Sequence, residues 1–122
     1  MMDTWYFEKV EFREFNRLFR DNVTEEFSDL ELNFNSDYTL NELNTSSGTS
    51  RLGYWEVDVD YIYTGGENAQ TTRVEEVIGT LTDTTSGIVE LLNWDNLCVN
   101  NRKIVAQEQK NGGTYFYTLR KL

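Results

Sequence analysis

Alternation of polar and apolar side chains is the feature that most constrains how this chain can fold. In Gly53–Thr64 (GYWEVDVDYIYT), Glu56, Asp58 and Asp60 alternate with aromatic or β-branched residues at the odd-numbered positions. A period of two is typical of a β-strand with one buried and one solvated face. Similar segments recur along the whole chain between turn residues, and the chain contains no proline. We therefore predict a mostly β, antiparallel architecture of about eight or nine short strands, as in a sandwich or barrel.

Turn residues mark the predicted hairpins. Leu30–Phe34 and the segment that begins at Tyr38 flank the turn Asn35–Asp37, so they predict two paired strands. Asn100–Asn101 and the NGG sequence at Asn111–Gly113 tolerate the positive φ that tight hairpin turns require. The C-terminal part of the chain is therefore expected to form successive hairpins.

Three segments depart from simple alternation. Thr4–Phe12 predicts the first strand, but its apolar face shifts partway along, which indicates a bulge. Phe12, Phe15 and Phe19 have helical spacing, so we expect a short helical turn after this strand. Thr72–Leu81 fits either a helix that begins with a capping box or a strand. Its β-branched residues and the glycine near its end favour a bulged strand.

Composition limits the class of protein and the partners. The chain has 122 residues, which is a single-domain length, and we treat residues 1–122 as one domain. Its 21 acidic and 11 basic residues give a formal net charge of -10. Such a charge repels nucleic acid, whose phosphates are bound by Lys and Arg. No apolar run is long enough to form a transmembrane segment.

The order of features resembles the small lipocalin-like domains of bacterial envelope proteins, which are relatives of the calycin barrels. Trp5 opens the first strand. Phe34–Thr39 (FNSDYT) stands where those domains carry F-x-x-D/N-G-T-Y, with Asp37 placed at the hairpin glycine, and Gly53–Trp55 (GYW) stands where they carry G-x-W. The resemblance extends to the closing segment TYFYTLRKL and covers nearly the whole chain. It implies an eight-stranded, antiparallel up-and-down β-barrel.

The same resemblance implies a location. Relatives of this kind are exported to the bacterial cell envelope, either the periplasm or the outer surface, so we expect a leader that is absent from this chain. Many of them are lipoproteins, anchored through a cysteine next to the leader. Cys98 is the only cysteine here and lies too far along the chain to serve as that anchor.

The residues that could carry chemistry favour no catalytic site. Asp58 and Asp60 share one face of a strand, but the calcium-loop signature is not completed, so we interpret them as the solvated face. Cys98 has no histidine to activate it, because the chain contains none, and we expect it to be a small buried hydrophobe. The sequence carries no recognised nucleophile motif. We predict neither an enzyme nor a cofactor or metal site.

The aromatic residues are the most informative about function, because alternation turns many of their side chains toward a barrel interior. The candidate ligand-binding residues are Trp5, Phe34, Trp55, Tyr61, Tyr115 and Tyr117. A barrel of this size either is filled by its own side chains or holds one small ligand. A hollow barrel would bind a small apolar or amphipathic ligand, whereas a packed barrel would act as a protein-interaction or inhibitor domain. The sequence leaves both interpretations open.

Overall fold

The computed structural model describes residues 3–66 and 70–122; the side chains of 60, 62, 64 and 70–73 lie outside the description. Strands and one 3-10 turn follow one another along these residues. They are β1 (Thr4–Glu14), β2 (Asp21–Asn22), the 3-10 turn (Thr24–Phe27), β3 (Leu30–Phe34), β4 (Thr39–Asn44), β5 (Ser50–Thr64), β6 (Gln70–Asp83), β7 (Val89–Val99), β8 (Lys103–Lys110) and β9 (Gly113–Lys121). The predicted mostly β fold is confirmed.

The strands close into a barrel. Each strand from β3 to β9 is antiparallel to its neighbour in chain order, and β1 lies between β3 and β9. The barrel wall therefore has eight strands in up-and-down order. The ninth, β2, is only two residues long and pairs with β1 at Glu11 and Phe12, beyond the part of β1 that pairs with β3.

Two of the irregular segments are strands. The pairing of β1 with β9 shifts register between Phe7 and Lys9, which confirms the predicted bulge and explains why Phe7 and Val10 are both buried. The segment 72–81 lies within β6, so the strand prediction is confirmed. Its pairing with β5 runs from Gln70 to Asp83 without a register shift, so a bulge is not present along this pairing.

The helical turn exists, but the three phenylalanines do not form it. Phe12 lies in β1, and Phe15 and Phe19 lie in the loop between β1 and β2. The turn itself is Thr24–Phe27, one short segment later. Within residues 3–66 and 70–122, no helix is long and apolar enough to cross a membrane.

The core lies inside the barrel and is built from those side chains of each long strand that point inward; we call these alternate positions the inward phase of the strand and the others its outward phase. Its buried hydrophobic residues are Trp5, Phe7, Val10, Leu32, Phe34, Leu40, Trp55, Val77, Leu81, Trp94, Ile104, Ala106, Tyr117 and Leu119. All three tryptophans of the chain belong to it. Burial of side chains this large supplies the main favourable term in folding.

Two strands extend far beyond the barrel wall. β4 pairs with β5 only as far as Tyr54, and β7 pairs with β6 only from Val77 onward. Within the described part of the chain, Asp58–Thr64 and Gln70–Glu76 therefore pair only with each other. We call this two-stranded projection the β5–β6 arm. Seven residues in each strand give it a length of about 20 Å.

Glycine is required at two positions of the barrel wall where β5 and β6 approach each other closely. A Cβ at Gly53 would overlap the carbonyl oxygen of Thr80, and one at Gly79 would overlap that of Tyr54. The two backbones approach each other so closely that no larger residue fits. These glycines lie next to the surface that we consider below as the candidate site.

Candidate functional site

The six aromatic residues predicted to bind a ligand lie in different surroundings. Trp5, Phe34, Trp55 and Tyr117 are buried, Tyr115 is half-buried, and Tyr61 is 62% exposed. Phe34 packs edge-on against Trp55 with ring centroids 5.4 Å apart, and Tyr115 stacks on Tyr117 at 5.8 Å. Tyr61 lies on the β5–β6 arm, outside the core. The structure thus brings Phe34 and Trp55 into one contacting pair and Tyr115 and Tyr117 into another, with Trp5 in the same core and Tyr61 outside it.

A residue that the sequence did not single out joins these two pairs. Trp94 is 2% exposed, and its ring lies 5.9 Å from that of Phe34 and 5.4 Å from that of Tyr117. Phe7 also contacts Trp94, at 6.5 Å, and Tyr117, at 5.6 Å. These aromatic rings fill the centre of the barrel with one another. The predicted ligand-binding side chains that point inward therefore serve as each other's packing partners.

Charged residues occupy one end of the same interior. We call Glu42, Arg51, Glu90, Glu108 and Lys110 the interior charge network. Arg51 donates to both carboxylate oxygens of Glu42, at 2.8 and 2.7 Å, and also to Glu90. Lys110 lies 2.9 Å from Glu90 and 3.1 Å from Glu108. The network thus links β4, β5, β7 and β8 across the lumen.

Hydrogen bonds satisfy the most buried carboxylate of the network. Glu108 accepts the hydroxyl of Tyr117 at 2.8 Å and the backbone N–H of Asn93 at 3.0 Å. Burial and the charge of Glu108 raise the pKa of Tyr117 far above its ordinary value, so this hydroxyl keeps its proton. The hydrogen bond with Glu42 likewise raises the pKa of Arg51. The paired carboxylates and cations of the network thus tie β4, β5, β7 and β8 together at this end of the barrel.

An open cavity of about 1160 Å³ lies beside the barrel at the base of the β5–β6 arm. We call it the outer groove. It is lined by Tyr38, Tyr54, Trp55, Glu56, Val57, Ile78, Gly79, Thr80, Leu91, Leu92 and Asn93. Tyr54, Glu56, Ile78, Thr80, Leu91 and Asn93 have the outward phase of β5, β6 and β7. Trp55, Val57, Gly79 and Leu92 have the inward phase, and Trp55 is also a core residue. Tyr38, Tyr54 and Leu91 are 61%, 68% and 74% exposed, so the groove presents large apolar side chains to solvent.

Acidic side chains adjoin the groove. Glu56 lines it, and Asp58 and Glu76 form the next cross-strand pair on the same outward phase. A hydrogen bond with Asp95, together with the like charges of Asp95 and Asp58, raises the pKa of Glu76 above its ordinary value. Among the described residues, none of these four carboxylates has a Lys or Arg within ion-pair distance. The groove is therefore apolar with an acidic border.

Tyr38 shows how the turn between β3 and β4 contributes to the groove. It has φ 66°, a conformation that a bulky residue rarely adopts. The positive φ of this hairpin thus falls on Tyr38, one residue after Asp37, where the family comparison placed the glycine. Asp37 instead accepts the backbone N–H of Thr39 at 3.0 Å. In this conformation the ring of Tyr38 lies 5.7 Å from that of Trp55.

The prediction that Cys98 is buried is wrong. Its side chain is exposed. The pairing of β7 with β8 shifts register between Asp95 and Cys98, and Asn96 has φ 50°. This irregularity reverses the phase of the strand, so Leu97 rather than Cys98 packs against the core.

The structure places one of the two aspartates that the sequence singled out. Asp58 is exposed, whereas the side chain of Asp60 falls outside the described residues. Across residues 3–66 and 70–122, no group of three or more Asp, Glu, His or Cys side chains is arranged to hold a metal ion.

Sequence reasoning missed both the interior charge network, for which the sequence carried a signal, and the groove, for which it carried none. Glu42 follows Leu40 by two residues and Glu108 follows Ala106 by two, so both carboxylates share the phase of buried residues. The β5–β6 arm follows from strand length: β5 and β6 have 15 and 14 residues and therefore extend beyond β4, which has 6. A groove formed by three neighbouring strands has no comparable pattern in one segment.

Comparison with known proteins adds no assignment. The chain matches no family model, no curated protein and no solved structure. The eight-stranded barrel is consistent with a lipocalin-like fold.

Proposed function

We propose that this protein is a non-catalytic binding module that holds an extended segment of a partner polypeptide in its outer groove. The observation that carries the proposal is the distribution of apolar surface. The lumen is filled by Trp5, Trp94, Phe34 and their neighbours, whereas Tyr38, Tyr54 and Leu91 expose apolar surface around one open groove. Large apolar patches on a soluble surface commonly mark interaction sites.

The size and shape of the groove favour a polypeptide. Its volume of about 1160 Å³ is above the range of about 300–1000 Å³ that is typical of small-ligand sites. It is also open to solvent, whereas small ligands are usually enclosed. An extended segment with alternating side chains suits a groove bounded by β-strands, because such segments bind along strands and place every second side chain in a pocket.

The negative charge around the groove indicates that the partner segment is positively charged. The acidic border of the groove consists of Glu56, Asp58, Glu76 and Asp95, which have no cationic partner within the described residues. A segment that carries Lys or Arg between its apolar residues would neutralise this border. Electrostatic complementarity of this kind raises the association rate and excludes acidic competitors.

Fluorescence anisotropy with labelled peptides tests the proposal. We expect saturable binding of peptides that alternate apolar residues with Lys or Arg, and none of matched peptides that carry Glu instead. Tyr54→Ser with Leu91→Ser should weaken binding at least tenfold, because these side chains contribute exposed apolar area to the groove. Val105→Ser is the matched control, since Val105 is a partly exposed residue on β8 outside the groove.

Two outcomes would contradict the proposal. One is the absence of binding by every peptide. The other is binding of a small apolar ligand, rather than a peptide, that survives the Tyr54→Ser, Leu91→Ser substitution; this would place the ligand in the barrel.

We further propose that the module acts in the bacterial cell envelope, a location supported by the resemblance of its motifs to envelope lipocalin-like domains. Fractionation of the native cells tests this, and recovery of the protein only in the cytosolic fraction would contradict it.

A further inference from the structure

The loop between β1 and β2 exposes three large apolar side chains. Phe15, Leu18 and Phe19 are 56%, 89% and 84% exposed. We call residues 15–20 the apolar loop. Full burial of one such side chain contributes about 1.5–3 kcal/mol relative to exposure, so a partner that covers all three would gain substantially.

The apolar loop belongs to a basic segment of an acidic protein. Arg13, Arg17 and Arg20 accompany one glutamate, Glu14, so residues 13–20 carry a formal charge of +2. The whole chain has a net charge of -10. The loop turns at Phe15–Asn16 rather than running extended, but it presents apolar side chains and arginines together, which is the chemistry that the outer groove requires.

The base of the loop is held in place. The backbone N–H of Phe15 donates to the carbonyl oxygen of Gly112 at 3.0 Å, and that of Arg17 donates to Glu14 at 3.2 Å. The guanidinium of Arg20 lies 3.5 Å from the centre of the Phe116 ring. A loop that is positioned before binding loses less conformational entropy when it binds.

The loop and the groove cannot meet within one chain. β1 ends and β5 begins at the same end of the barrel, because β1, β3, β4 and β5 are successive antiparallel neighbours. The apolar loop follows the end of β1 and projects from that end. The groove lies on β5, β6 and β7, and β6 is four strands away from β1 in either direction around the closed wall, so the groove faces away from the loop on the far side of the barrel. Contact between loop and groove therefore requires two molecules.

Charge favours this pairing over other contacts between copies. Residues 56–76 contain six acidic residues and one arginine, for a formal charge of -5. Two such segments repel each other, whereas this segment attracts the basic segment 13–20. Each copy thus carries an acidic groove and a basic apolar loop at different places on its surface.

We propose that the outer groove of one copy binds the apolar loop of a second copy, so that the protein associates head to tail. This inference rests on the proposed function, because it uses the same groove and names its occupant. A head-to-tail contact is heterologous, so a pair of copies leaves one loop and one groove open for further copies. One loop in one groove makes a small interface, and we expect weak, concentration-dependent association.

Sedimentation velocity of the full chain tests the inference over a hundredfold range of concentration. The wild-type protein should exceed the monomer mass of 14.3 kDa as concentration rises, and high salt should reverse this. The loop variant is Leu18→Ser with Phe19→Ser, and the groove variant is Tyr54→Ser with Leu91→Ser. Each variant alone should remain monomeric, with self-association weakened at least tenfold, while Val105→Ser should behave like wild type.

Mixing the two variants gives the sharpest result. The loop variant has an intact groove and the groove variant has an intact loop, so a mixture has one functional contact. We expect a species of two chains that does not grow further. Complexes of more than two chains in the mixture would overturn the inference. Self-association of either variant alone that is as strong as that of the wild type would also overturn it.

The remaining outcomes separate this inference from the proposed function. A wild-type protein that stays monomeric but binds basic apolar peptides in the groove would overturn the inference and leave the proposed function standing. A monomeric protein that binds no peptide would overturn both. Binding to anionic phosphatidylserine vesicles that the loop variant loses, without self-association, would show that the loop contacts lipid and would also overturn the inference.

Discussion

Replacement of Arg51 by methionine tests the interior charge network. Arg51 holds Glu42 through two hydrogen bonds, at 2.8 and 2.7 Å, and also bonds Glu90. The side chain of Glu42 is only 11% exposed, so Arg51→Met leaves a nearly buried carboxylate without a counter-ion. Removing one partner of a buried ion pair costs about 3–5 kcal/mol. Because Glu90 keeps Lys110 at 2.9 Å, we expect a loss of about 3 kcal/mol.

The loss should reverse when the other partner is also replaced. The double variant Arg51→Met, Glu42→Leu has no unpaired charge at this position and should recover at least half of the lost stability. Arg120→Met is the control, because Arg120 donates to Glu8 at 2.7 Å and both side chains are 40% exposed. Removing that surface pair should cost about 1 kcal/mol or less.

Urea unfolding followed by tryptophan fluorescence measures these differences, because all three tryptophans are buried. A loss of 3 kcal/mol corresponds to a decrease in Tm of about 10 °C or more for a domain of this size. The reasoning is refuted if Arg51→Met costs no more than Arg120→Met. It is also refuted if the effects of Arg51→Met and Glu42→Leu simply add.

Three further measurements test other parts of the structure. Burial alone would raise the pKa of Glu90, but hydrogen bonds, the largest from Lys110, lower this pKa below its ordinary value of 4.5. The ionised Glu90 therefore stabilises the folded state fully above pH 4.5. This stabilisation is lost as the pH falls through the lowered pKa of the folded state. The difference in unfolding free energy between wild type and Glu90→Gln should thus be full at neutral pH and shrink in acid, and a constant difference would contradict this. Gly53→Ala should cost about 1–3 kcal/mol in urea unfolding because its Cβ would overlap β6, whereas Gly65→Ala meets only ordinary contacts and should change little; equal effects would contradict the close approach. The exposed thiol of Cys98 should react with Ellman's reagent in the native protein as fast as in the unfolded chain, and strong protection would contradict its exposure.

Period-two alternation predicted the antiparallel strands because each strand buries one face, and the closed up-and-down barrel was implied by the resemblance to lipocalin-like domains. The register shift in β1 was also readable, since the apolar face of Thr4–Phe12 changes phase where Phe7 and Lys9 interrupt the pairing. In β7 the same kind of shift was missed. Cys98 was expected to be buried because cysteine behaves as a small hydrophobe, whereas the alternation of Leu97 and Val99 places it on the opposite face of the strand from Leu97, which packs against the core.

The candidate site was less predictable because it depends on how long strands end relative to their neighbours. The sequence indicated which residues of β5 share a face. Whether Tyr61 faces a lumen or solvent depends on where β4 and β7 stop pairing, at Tyr54 and Val77. That information lies in long-range pairing rather than in any single segment. The apolar loop was misread for a similar reason, since Phe15 and Phe19 have helical spacing but lie in a hairpin loop.

The central claim, that the protein binds through its outer groove and not through its lumen, is tested most directly by an NMR titration. ¹⁵N-labelled protein would be titrated with a peptide that alternates apolar residues and arginine. We predict amide shift changes confined to the turn at Tyr38 and to β5, β6 and β7 around Tyr54, Ile78 and Leu91. Changes concentrated instead at core residues such as Trp5, with the groove amides unmoved, would contradict the claim.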